Sequence, residues 1–132
     1  MWRWSINLKG SRFVLLGVVC LGAACAGRGG ARPGAVTPAE IPALQTQAQQ
    51  QPNNARVHFR LAAALMAAGR CDTAVVVARA GGRLAPADAV GPLVVGGCQE
   101  KGGRYDLAFA TYTDFAARHP EARGIGAVRA KA

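Results

Sequence analysis

Few groups in this chain could act as nucleophile, base or metal ligand: four cysteines, two histidines, and serines at Ser5 and Ser11 only. His58 and His119 stand apart, without the HExxH spacing that puts two imidazoles on one helix face and without a CxxC pair to hold zinc. His119 precedes Pro120 and reads as a satisfied histidine at a helix end. The stretch GGCQEKGG has neither the spacing nor the hydroxyl of a phosphate-binding loop. A thiol–imidazole pair drawn from Cys71 or Cys98 is the one catalytic arrangement the sequence leaves open. We therefore expect a protein that is not an enzyme, with no cofactor and no metal.

The cysteines carry the chemistry that remains, and Cys25 stands apart by its context. Residues 1–12 hold Arg3, Lys9 and Arg12 and no acid, and residues 13–24, FVLLGVVCLGAA, are an uncharged apolar run. That run has the length of an export-signal core and falls short of the roughly 20 residues that span a bilayer as a helix. It ends in LGAAC, where the segment resembles a bacterial lipoprotein signal. The resemblance implies a signal peptide over residues 1–24, lipidation of the Cys25 sulfur and acylation of the new N-terminus, so that several acyl chains hold the protein on a membrane. Gly22 stands where that family usually has leucine, with Leu21 displaced by one. The alternative is ordinary cleavage within Ala24-Cys25-Ala26, which frees a soluble periplasmic or secreted protein. Both serines fall inside the signal, so the mature chain carries no serine nucleophile.

Residues 25–52 follow as a tether. Up to Val36 they are Gly, Pro, Arg and Ala without apolar periodicity. Thr37-Pro38-Ala39-Glu40 then has the pattern of a capping box with proline at the first helical position, so a short helix to about Gln51 is one reading and a disordered Gln-rich stretch the other. The formal charge of +9 drops by three with the signal. The remaining basic residues are scattered without aromatic interleaving, which points to a solvated surface near anionic headgroups and not to nucleic acid.

Positioning elements must come from residues 53–120, where the chain repeats itself. GRCDTA begins at Gly69 and GRYDLA at Gly103, and Pro52, Pro86 and Pro120 recur at that same interval. With Leu61-Ala62, Leu65, Ala74 and Pro86, then Val95-Gly96, Ala108, Tyr112 and Pro120, this spacing resembles the tetratricopeptide repeat, a helix-turn-helix unit of about 34 residues. The resemblance implies an all-α fold: two degenerate helix-turn-helix repeats, residues 53–86 and 87–120, stacked as a short solenoid, with flanking capping helices. Residues 121–132 would form a short capping helix or tail, with Ile125 and Val128 covering the exposed end.

The residues support that architecture directly. Val57, Leu61, Leu65 and Ala68 recur at helical spacing, Gly69 stops that helix, and Asp72 and Asp106 suit the first turns of the next helices. Ala74 and Ala78 permit close helix approach, while Ala108, Tyr112 and Phe115 form the matching face later on. Much of the 51% hydrophobic content is Ala and Val, and small side chains make a thin core. His58 and Pro92 occupy the places of the family's usual aromatic, and Gly81-Gly82 and Gly96-Gly97 are expected to interrupt two helices. Two repeats fall short of the three that stacking normally needs, so flanking helices, a dimer or a partner must complete the core.

The resemblance also implies a groove lined by the first helix of each repeat, which carries over to Arg56, Phe59, Arg60 and Met66 and to Val90 and Leu93. Such a groove suits an apolar protein segment with acidic flanks; the same side chains read equally as core. Normal stacking brings Cys71 and Cys98 to one end of the bundle. A disulfide there would contribute about 3.5 kcal/mol by loop entropy, and two buried thiols are the other reading. The expected function is an exported, lipid-anchored scaffold or adaptor for a protein partner in the bacterial cell envelope. The alternative is a soluble periplasmic or secreted repeat protein that mainly self-associates.

Overall fold

Glycine and proline set where the helices end. The computed structural model describes residues 35–132; the expected signal over residues 1–24, Cys25 and the first part of the expected tether lie outside the described residues. A single 3-10 turn, Pro38–Glu40, leads into α1 (Ile41–Gln50), followed by α2 (Ala55–Ala67), α3 (Cys71–Leu84), α4 (Val90–Lys101), α5 (Tyr105–Arg118) and α6 (Ile125–Arg129). No strand occurs among the described residues.

Local chemistry accounts for each boundary. The Thr37 amide donates to Glu40 Oε2 at 2.7 Å, so the Gln-rich stretch starts as a capped helix and proceeds as one. α2 stops at a left-handed Gly69 (φ 76°) and α4 at a left-handed Gly103 (φ 71°), after which the amides of Arg70 and Arg104 return to the carbonyls of Leu65 and Gln99, each at 2.9 Å. Asp72 and Asp106 sit in the first turns of α3 and α5, near the positive ends of the helix dipoles. Pro92 is the third residue of α4, where its missing amide hydrogen costs no helical bond, and the Val90 amide is taken by Asp88 Oδ1 at 2.9 Å.

Neighbours in sequence pack on one another, and α4 also packs against α2, as α6 does against α4. Helix ends recur in phase with the sequence: α1, α3 and α5 end at Gln50, Leu84 and Arg118, the same interval that separates Gly69 from Gly103. The first core gathers Ile41 and Leu44 with Leu61, Leu65, Ala74, Ala78 and Val94. The second gathers Ala89, Ala108, Tyr112, Phe115, Ala122 and Val128. The flanking helices thus close both ends, α1 over α2 and α6 over α4 and α5. Val128 is fully buried and Ile125 half-buried.

Contrary to the expectation from sequence, the glycine pairs do not interrupt the helices. Gly81 and Gly82 lie inside α3 and Gly96 and Gly97 inside α4. Three of the four are places of contact. A β-carbon on Gly81 would lie 2.8 Å from the Phe59 ring, one on Gly97 3.1 Å from Met66 Sδ, and one on Gly96 would overlap the Tyr112 ring. Burial of those side chains returns more than the roughly 1 kcal/mol that a helical glycine costs.

Candidate functional site

The groove expected along the first helices is not an open apolar surface. Phe59 is only 4% exposed, wedged against Gly81 of α3 and Gly91 of α4. It is a core residue because α2 is flanked by three helices, α1, α3 and α4, and must bury a wider arc than one stripe. Met66 and Leu93 are half-buried and pack against the first and second cores. Arg56 and Val90 are exposed, and Arg60 is exposed with its guanidinium 2.9 Å from Glu40 Oε1. The Thr37 amide first, and Arg60 further, hold the Glu40 carboxyl below its ordinary pKa.

Cys71, the first residue of α3, is bonded to Cys98 near the end of α4, with the α-carbons 5.4 Å apart. At the same end, Lys101 Nζ donates to the Met66 carbonyl at 2.9 Å, a cation placed at the negative end of α2. Among the described residues no three His, Cys, Asp or Glu come together as a metal set. His58 Nε2 lies 2.7 Å from the Pro52 carbonyl, so that nitrogen carries the proton and donates. His119 packs on Phe115 with ring centroids 5.0 Å apart. The two imidazoles are thus engaged in holding helix ends.

Two hollows lie on a face that the sequence did not single out. α3 and α5 both pack on α4 and not on each other, which leaves a groove between them. One part, about 430 Å³, has Arg79, Gly82 and Arg83 on one wall, Thr111, Asp114 and Arg118 on the other, and Gly91, Pro92 and Val95 between. A second part, about 250 Å³, shares Arg79 and Val95 and extends to Asp72, Arg104 and the disulfide. Arg118 is bound by Asp114 one turn before it, whereas Arg79 and Arg83 form no ion pair among the described residues. A sequence signal for this existed: Arg79 and Arg83 sit one helical turn apart with no carboxylate three or four residues away on α3.

α5 also exposes a large apolar surface. Tyr105 is 68% exposed and Phe109 54%, one turn apart on the same helix, and Leu107 is exposed on another side of it. The neighbouring face of α5 buries Tyr112, whose hydroxyl is enclosed without a hydrogen-bond partner. Burial first, and the negative charge of Glu100 second, push its pKa up to about 12. Glu100 in turn pairs with Lys131 at 2.9 Å and so ties the C-terminal residues to α4.

Neither a family model nor a curated protein sequence matches this chain. No described helix is long and apolar enough to cross a membrane.

Proposed function

We propose that this chain is a small helical-repeat scaffold of the tetratricopeptide type, exported and held by a lipid on Cys25, that binds a protein partner in the bacterial cell envelope without catalysing a reaction. The observation that carries the reading is the repeat phase common to sequence and backbone: GRCDTA and GRYDLA, the left-handed Gly69 and Gly103, and helix ends at Gln50, Leu84 and Arg118. A unit repeated in this way buries its apolar face on the next copy and leaves its outer faces to other molecules. In this reading α1 is the second helix of a partial unit before residue 53 and α6 the first helix of a partial unit after residue 120. The two flanking half-units supply what two repeats alone lack.

The test has two parts. Metabolic palmitate labelling of the full chain beside Cys25→Ser, in a bacterial host, is expected to label the parent and not the variant. A photo-crosslinking residue in place of Tyr105 is expected to trap a distinct envelope protein. No label in either chain, together with crosslinks only between copies, would overturn the anchored scaffold in favour of a soluble self-associating protein. That second reading is favoured by the exposed Tyr105, Leu107 and Phe109. Light scattering separates it, since a stable dimer would revert to monomer in Phe109→Glu.

A further inference from the structure

We propose that the groove between α3 and α5 is a channel for an extended acidic segment of a protein partner. The inference rests on the scaffold reading and specifies where that scaffold grips and by what chemistry. Three observations carry it. The hollows of about 430 and 250 Å³ share Arg79 and Val95, so they adjoin along one groove. Its floor is made by Gly91, Pro92 and Val95, which offer apolar contact. Its wall on α3 carries Arg79 and Arg83, which form no ion pair among the described residues.

Charge complementarity selects the occupant. A guanidinium matches a carboxylate in shape, with two parallel N–H donors, and two of them one helical turn apart can engage carboxylates on one side of an extended chain. Residues between those carboxylates face the apolar floor. Asp114 is already engaged by Arg118 and does not compete for Arg79 or Arg83, while the disulfide end carries Asp72 and Arg104 together and so adds no net charge. A flat headgroup layer cannot follow a concave channel, which favours a protein segment over a membrane as the ligand.

The probe is a fluorescein-labelled peptide of alternating glutamate and valine, with a lysine–valine counterpart, titrated by fluorescence anisotropy against the full chain in detergent micelles. The parent is expected to prefer the acidic peptide. Arg79→Glu/Arg83→Glu is expected to weaken it by about tenfold or more, whereas Arg123→Glu/Arg129→Glu, with the same change in net charge outside the channel, changes it by less than about threefold. Circular dichroism shows that each variant folds. No preference in the parent, or equal losses in the two variants, would overturn the channel. So would a loss of binding to phosphatidylglycerol vesicles on Arg79→Glu/Arg83→Glu with peptide binding unchanged, which would make headgroups the ligand. If a Tyr105 crosslink to an envelope protein survives Arg79→Glu/Arg83→Glu while the parent ignores the acidic peptide, the channel fails and the scaffold reading stands.

Discussion

The ring of Tyr112 on α5 occupies the space that a β-carbon on Gly96 of α4 would need. At the interval that separates Gly69 from Gly103, the corresponding earlier positions are Ala78 and Ala62, both fully buried in the first core. A neighbouring pair has its large residue on the other helix: Phe59 is seated on Gly81, and the positions one such interval later are Leu93 and Phe115. Each helix pair therefore fills its interior with one large residue against a glycine, but at a different level.

This pairing predicts a coupled double mutant. Gly96→Ala alone should destabilise by about 1–3 kcal/mol through overpacking, and Tyr112→Ala alone by about 3–5 kcal/mol through the cavity it leaves. Together they recreate the Ala62–Ala78 arrangement, so the double variant should be more stable than the sum of the two by at least about 1 kcal/mol. Urea unfolding of the four chains measures the cycle, and strict additivity would contradict the contact.

Gly82 is the contrasting case. A β-carbon there meets nothing within 4 Å, and the residue has no left-handed backbone to preserve. Gly82→Ala should raise stability by about 0.5–1 kcal/mol through helix propensity, whereas Gly69→Ala, at φ 76°, should lower it. Thermal melts of both variants decide the matter.

Reduction of the Cys71–Cys98 bond should lower the stability of the folded chain by about 3.5 kcal/mol, the loop-entropy value for a 27-residue separation. The expected result is a lower urea midpoint in the presence of dithiothreitol, matched by Cys71→Ser/Cys98→Ser without reductant. Thiol titration of the oxidised chain should find neither residue free until it is reduced.

Alkaline pH offers a separate handle on Tyr112. Its folded pKa is raised from 10.0 to about 12, so its contribution to stability is complete below the unfolded value and is lost as pH climbs through that window. The loss should amount to about 2–3 kcal/mol. Tyr112→Phe should lack this part of the alkaline decline. Below pH 10 it should be as stable as the parent or slightly more so, since the hydroxyl it removes has no partner. Denaturant midpoints in steps of pH across the window, for both chains, provide the test.

Much of the fold is legible in the sequence because the punctuation repeats. Gly69 and Gly103 end helices by backbone conformation, and the ends of α1, α3 and α5 keep the phase of Pro52, Pro86 and Pro120; local chemistry is enough to place such features. The glycine pairs mislead because sequence alone does not distinguish a helix breaker from a seat for an aromatic ring. The difference lies in a residue on another helix, Phe59 for Gly81 and Tyr112 for Gly96. Phe59 reads as a groove residue for a related reason. It lies off the stripe of Val57, Leu61 and Leu65, and is buried by Gly81 of α3 and Gly91 of α4. The channel between α3 and α5 depends on two helices that do not touch, so its arginines are visible in the sequence as unpaired but not as facing a space.

The disulfide has a further effect through its placement between helix pairs. It joins the start of α3 to the end of α4, across the boundary between α2–α3 and α4–α5. Where helices pack chiefly on their neighbours in the chain, the weakest junction sets whether they melt in one step or in parts. Locking the junction between α3 and α4 favours melting of α2 to α5 as one cooperative block, with α1 and α6 outside the bond. Hydrogen exchange should then be graded only at the termini, and uniform from α2 to α5 as long as the bond is closed.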